Sequence, residues 1–291
     1  MRKNVTSVRQ LATILMAGIM AVSCSKEEAE TQDVATETEV ITIAELKTAD
    51  ESEFLAEELM NIAEDSYAED EISTFSKFNY RSDYLPDCVT VTTVVTDTTK
   101  ERTLDFGEGC ELPNGNILSG LLVLTYEKDM DVAQKTIKLS LEDFTFNGVA
   151  VEGGADILRM RSNGNGNPQA TATVSFDATW PNGDVTSLNG SRTREWIEGF
   201  GSGFWGDNVF LITGKRTFTA KSGAVFEKEI IVPLRRETAC RFAVSGVLTI
   251  SRRGNMASLD FGDGNCDAKG VLTLPNGDVQ EVSLRRFLKN D

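Results

Sequence analysis

The stretch "ATATVSFDATWPNGDVTSLNGSRTREW" runs from Ala170 to Trp196. Its first half alternates small or apolar residues (Ala172, Val174, Phe176, Ala178) with Thr173, Ser175, Asp177 and Thr179, the period of a strand with one buried face. Pro181 then pre-sets the first turn position, Asn182 takes the second, and Gly183 supplies the positive φ of a bulge, which makes a three-residue hairpin loop. The alternation resumes at once. A connection this short joins antiparallel neighbours, because a parallel crossover needs a dozen or more residues.

The same grammar extends in both directions. "LPNGN" (112–116) and "LPNGD" (274–278) repeat the turn, Asn-Gly occurs seven times, and Lys-Ser-Gly and Arg-Gly-Asn mark further turns. Between them stand β-branched segments such as "VTVTTVV", "KTIKLSLEDFTF", "NVFLITGKRTFTA" and "AVFEKEIIVPL". With no helical pattern between strands, residues 72–291 read as one all-β, antiparallel, meander-type domain of about a dozen sequential strands. Periodicity leaves a curved sheet, a sandwich and a barrel equally open.

Upstream the composition changes. Arg2, Lys3 and Arg9 precede the apolar run "LATILMAGIMAV" (Leu11–Val22), and "AVSC" ends at Cys24. That order reads as a lipoprotein signal peptide over residues 1–23, with Cys24 the lipidated first residue of the mature chain. Residues 24–44 read as an acidic flexible tether. Residues 45–71 read as an acidic amphipathic helix, with Thr48 and Glu51 as a capping box and Phe54, Leu55, Leu59 and Ile62 as an apolar stripe that docks on the core. Seventeen Asp and Glu stand between Ser25 and Glu71, against Lys26 and Lys47, in a chain of net charge −16. Nucleic acid is excluded as a partner by this charge. The partner implied by Cys24 is a lipid bilayer.

The chain has five cysteines and no histidine. Without histidine there is no Ser-His-Asp triad and no His-ligated zinc, and no cofactor or metal is expected. With Cys24 taken by lipid, four cysteines remain. Cys88 opens a strand whose partner ends at Cys110, and their midpoint falls in the intervening turn. Cys240 and Cys266 flank a second hairpin in the same way. Residues equidistant from a hairpin turn face each other, so the expected disulfides are Cys88–Cys110 and Cys240–Cys266, in an oxidising compartment. Each hairpin ends in one phrase, "LDFGEGC" (104–110) or "LDFGDGNC" (259–266). Two acidic side chains per copy are too few for a calcium loop, so the phrase reads as a structural turn.

The signal and lipobox, "TLDFGEGC", "NGSRTREW" (189–196), "TGKRTFT" (213–219), "RRETACRFAVSGVLTI" and "SLDFGDGNCDAKGVLTLPNGD" together resemble an uncharacterised family of Bacteroidetes envelope lipoproteins. The resemblance implies a lipid-anchored protein at the outer membrane or cell surface; it implies no activity and no catalytic residues. The leading expectation is therefore a non-catalytic binding or structural protein whose partner is a glycan or another envelope protein. Candidate ligand-facing residues are Trp196, Phe200, Phe204 and Trp205, four rings in the glycine-rich "REWIEGFGSGFWGDN" (194–208), where flexible aromatics suit stacking on sugars. The alternative is a glycan-acting enzyme working through a carboxylate pair, for which Asp105, Asp156, Asp177, Asp184 and Asp260 are available.

Overall fold

The computed structural model describes residues 43–75, 83–240 and 242–284. Residues 1–42, with the signal segment, Cys24 and most of the tether, lie outside the described residues. The first element is helix α1 (Ile43–Phe75). Fourteen strands follow among the described residues: β1 (Thr90–Val95), β2 (Thr99–Asp105), β3 (Cys110–Glu111), β4 (Ile117–Glu127), β5 (Gln134–Phe146), β6 (Val149–Met160) and β7 (Gln169–Thr179), then β8 (Val185–Glu198), β9 (Val209–Thr219), β10 (Val225–Glu237), β11 (Ala243–Arg252), β12 (Asn255–Asp263), β13 (Lys269–Thr273) and β14 (Val279–Ser283).

The strands form one antiparallel sheet in sequence order, with β3 set aside as a short partner of β4. The sheet does not close on itself, which resolves the choice that periodicity left open. The expected turns are present. Gly115, Gly183 and Gly277 each donate their amide to the residue three positions back, Leu112, Trp180 and Leu274, at 2.8–2.9 Å. The "AKSGA" turn repeats that geometry without proline, Gly223 donating to Ala220 at 2.8 Å.

Helix α1 begins upstream of its expected start. Ala44, Glu45, Leu46 and Lys47 are good helix formers, and they carry the helix past Thr48 in the N-terminal direction. Thr48 is therefore an interior residue, whose carbonyl accepts from the Ser52 hydroxyl at 3.0 Å, and not a cap. The expected docking of Phe54, Leu55, Leu59 and Ile62 on the core is observed, since all four are buried. Their neighbours are buried too. Every residue from Ser52 to Ala68 is buried, Glu53, Glu57, Glu58, Glu64 and Asp65 included. At 100° per residue these positions cover all faces of the helix, so the sheet wraps around α1.

Two features let it wrap. Inward positions of β7 carry Ala170, Ala172 and Ala178, and α1 approaches β7 and β8 closely. On β8 and β9, Gly190 (φ +126°) and Gly214 (φ +115°) occupy inward positions where a Cβ would stand 2.7 Å from the Arg216 Cα and 2.5 Å from the Ser191 carbonyl oxygen. Glycines of this kind within strands permit sharp local coiling. They also pair in register with two arginines, Gly190 with Arg216 and Gly214 with Arg192. Those arginines point at the helix.

The two LDFG phrases share one local geometry, the first at the end of β2 and the second within β12, where the register shifts between Asp260 and Asp263. Leu104 and Phe106 in one copy, and Leu259 and Phe261 in the other, are buried. The aspartate between them accepts the amide of the glycine two residues on, Gly107 to Asp105 at 2.8 Å and Gly262 to Asp260 at 2.9 Å. These are Asx turns that steer the chain toward the cysteine. Both expected disulfides are present, Cys88–Cys110 and Cys240–Cys266, each with a Cα separation of 5.7 Å. The cysteines are not opposed across a ladder, however. In the β1–β2 register Thr90 faces Asp105, and Cys110 lies beyond the Asx turn on β3. Each bond ties the chain entering a hairpin to the chain leaving it.

Candidate functional site

The interior is an ion network between α1 and the sheet. Glu53 accepts from Arg216 Nη1 at 2.5 Å and Arg192 Nε at 3.3 Å, and Lys228 Nζ stands 3.4 Å from its second oxygen. Lys228 also donates to the Ala49 carbonyl at 2.8 Å. Burial pushes the Glu53 carboxyl up, but the charges of Arg192, Arg216 and Lys228 together outweigh it and hold the group well below the usual carboxylate range. Burial also lowers the Arg216 pKa, against the opposing pull of Glu53.

Glu58 plays a matching role a turn later. It receives Asn114 Nδ2 at 2.6 Å, Asn61 Nδ2 at 2.9 Å and the Tyr84 hydroxyl at 3.1 Å, with Arg236 Nη2 at 3.4 Å. Asn114 follows Cys110, and Arg236 also donates to the Cys240 carbonyl, so this carboxylate joins both disulfide-closed modules. Further along, Arg194 meets Asn61 and Glu64, Arg102 bonds Glu69 at 2.6 Å and Arg159 bonds Glu71 at 3.1 Å. Glu64 behaves differently from Glu53: burial exceeds the help of Arg194 and Arg159, and its pKa is raised. These groups hold a helix to a sheet. They are turned toward one another and away from solvent.

The aromatic loop requires a correction. Trp196 is only 2% exposed, and its ring meets Phe210 and Phe200 at 5.1 and 5.0 Å. Its Nε1 donates to Asn208 Oδ1 at 3.0 Å. Trp205 is 8% exposed and stacks on Tyr84 at 4.1 Å, while its amide donates to Asp83 Oδ1 at 2.6 Å. Both indoles close one end of the core, where burial of their large apolar area is worth more than exposure to solvent. Phe200 (37% exposed) and Phe204 (59%) do reach the surface. Phe204 and an edge of Trp205 border a 330 Å³ hollow with Tyr84, Asn114 and Thr238.

The larger cleft lies at the other end of α1 and was not foreseen. It measures 530 Å³ and is formed by the β7–β8 turn (Trp180, Asn182, Asp184), the β9–β10 turn (Lys221, Ser222) and the first turns of the helix (Thr48, Glu51). Trp180 is half-buried, and its Nε1 donates to Thr186 Oγ1 at 2.9 Å, which fixes the ring. Lys221 Nζ and Asn182 Nδ2 both donate to Asp184 Oδ2, at 2.7 and 2.9 Å. The hydrogen bond from Lys221 is the main reason that the Asp184 pKa is lowered. One signal could have found this site. Of the three Pro-Asn-Gly turns, two begin with leucine and this one begins with tryptophan.

The carboxylates weighed for catalysis are dispersed. Asp105 and Asp260 cap their turns, Asp156 pairs with Lys138 at 2.7 Å, and Asp177 accepts from Ser187 at 2.5 Å. Glu152 and Asp177 do face each other across β6 and β7, on the exposed side of the sheet. Among the described residues no group of three or more His, Cys, Asp or Glu could hold a metal ion.

The chain matches no family model. Comparison with curated proteins and with solved structures likewise gave no match.

Proposed function

We propose that this is an exported envelope protein, lipid-anchored through Cys24 at the outer membrane or cell surface, whose β domain binds a partner and carries out no reaction. The observation that carries this reading is the occupied interior. The sheet encloses its own helix, and the Glu53, Glu58, Glu64 and Glu71 carboxylates are paired with cations of the fold. Among the described residues, one surface open to a ligand is the Trp180 cleft at the rim, which combines an aromatic ring with a few convergent polar groups. The two disulfides support an oxidising, exported setting. A docking role for the acidic helix is not proposed, because Ser52–Ala68 has no exposed face.

Detergent partitioning of the full chain and its Cys24→Ala variant tests the anchor. The parent is expected in the detergent phase and the variant in the aqueous phase. Retention of Cys24→Ala in the detergent phase would show that Cys24 is not what attaches the protein.

A further inference from the structure

We infer that the Trp180 cleft is a subsite for a neutral saccharide; this rests on the reading of the domain as a binding protein. The argument begins with the ring. Hydrogen-bonded to Thr186 through Nε1, the indole is held in one orientation at the cleft wall, so a ligand that stacks on it meets a surface already ordered. An aromatic face is the surface that the C–H side of a pyranose ring covers, while the hydroxyls at the ring edge remain to be hydrogen-bonded.

The polar groups match that edge. Asp184 offers acceptors, Lys221 offers donors, and Asn182 and Ser222 offer both, all on two short turns around the same cleft. Neighbouring hydroxyls of a sugar likewise each donate and accept, so paired donors and acceptors on the protein answer them. Charge narrows the class. Asp184 and Lys221 are bound to each other, so neither is a lone charge inviting an ion of opposite sign. A quaternary ammonium would use the ring but has no donors or acceptors for the polar groups around it. A neutral pyranoside is the class that uses both the ring and its polar surroundings.

The site is built from two rigid hairpins. The "PNG" loop and the "KSG" loop share the same turn hydrogen bonds, and Ser187 of β8 pairs with Thr219 of β9, which sets the two loops side by side. Binding therefore needs no rearrangement of the sheet.

Isothermal titration calorimetry of the full chain in detergent tests the inference, with maltotriose, cellotriose, mannotriose and chitotriose as probes and a galacturonate trimer as the anionic control. At least one neutral trimer is expected to bind and to change the tryptophan fluorescence, with the galacturonate trimer weaker. Trp180→Ala should weaken that binding about tenfold or more, as loss of an aromatic anchor does. Lys221→Ala alters an exposed side chain and keeps the test open if the tryptophan variant fails to fold; it too should weaken binding. Saccharide binding unchanged in both variants would place the sugar elsewhere and overturn the inference. A chain that binds none of the neutral trimers overturns it as well. Capture of a non-saccharide envelope component by that same chain would leave the broader binding reading standing, whereas failure to retain any envelope component would remove both.

Discussion

Replacing Glu53 with glutamine is the most informative single perturbation of this fold. The substitution keeps the shape of the side chain and removes its charge, leaving Arg192, Arg216 and Lys228 buried around a neutral amide. Breaking a buried ion pair by removing one partner costs about 3–5 kcal/mol, because the remaining charge is left desolvated. Here one carboxylate answers three cations, so the expected loss lies at the upper part of that range, a sizeable share of the ~5–15 kcal/mol of a typical domain. The dependence on pH gives a second readout. The folded pKa of Glu53 is depressed, so its contribution is fully present above the unfolded value of about 4.3 and is lost as pH falls through the folded value. The gap between parent and variant should therefore be widest near neutral pH and should narrow as the solution is acidified below about pH 4. Urea unfolding followed by tryptophan fluorescence at several pH values measures it. Glu64→Gln is the control, since burial already raises that pKa and the carboxylate form is disfavoured in the fold; it should cost much less than Glu53→Gln at neutral pH. A Glu53→Gln protein as stable as the parent, or a gap that does not change with pH, would refute the reasoning that this network holds α1 in the sheet.

Two further outcomes follow from the same structure. Cys110→Ser should leave Cys88 as an exposed, titratable thiol, keep Cys240–Cys266 intact in non-reducing peptide mapping, and cost about 3 kcal/mol on the chain-entropy estimate for a separation of 22 residues. Trp205→Ala should lower the melting temperature markedly, with a loss of about 3–5 kcal/mol, because the ring is buried against Tyr84; a variant that melts with the parent would return this tryptophan to the surface.

The meander was legible in the sequence because its causes are local. Alternation in "ATATVSFDAT" and the Pro-Asn-Gly loop act within a few residues, and a chain of tight hairpins admits one strand order. The disulfide pairing was legible for the same reason, as a symmetry about two turns. Local symmetry did not reveal that the Asx turns at Asp105 and Asp260 carry Cys110 and Cys266 past the ladder. The tryptophan cleft was half-written in Trp180, which stands where two sister turns have leucine, but its partners Lys221 and Glu51 come from distant elements. Composition alone also cannot say which rings of a glycine-rich loop turn inward, and Trp196 and Trp205 did so because Asn208, Tyr84 and Asp83 meet them there.

What only the tertiary structure decided is the fate of the acidic helix. Its sequence has one modest apolar stripe, and read alone it belongs on a surface with its carboxylates in water. Burial of Glu53 is tolerated because Arg192 comes to it from 139 residues away and Arg216 from 163. A strand's period is set by its own backbone, whereas the cost of burying a charge is set by whichever counter-charge the whole fold brings beside it. The sequence by itself therefore determined an antiparallel sheet stapled at two hairpins. The folded chain determined that this sheet would remain open and curl around an ionised helix.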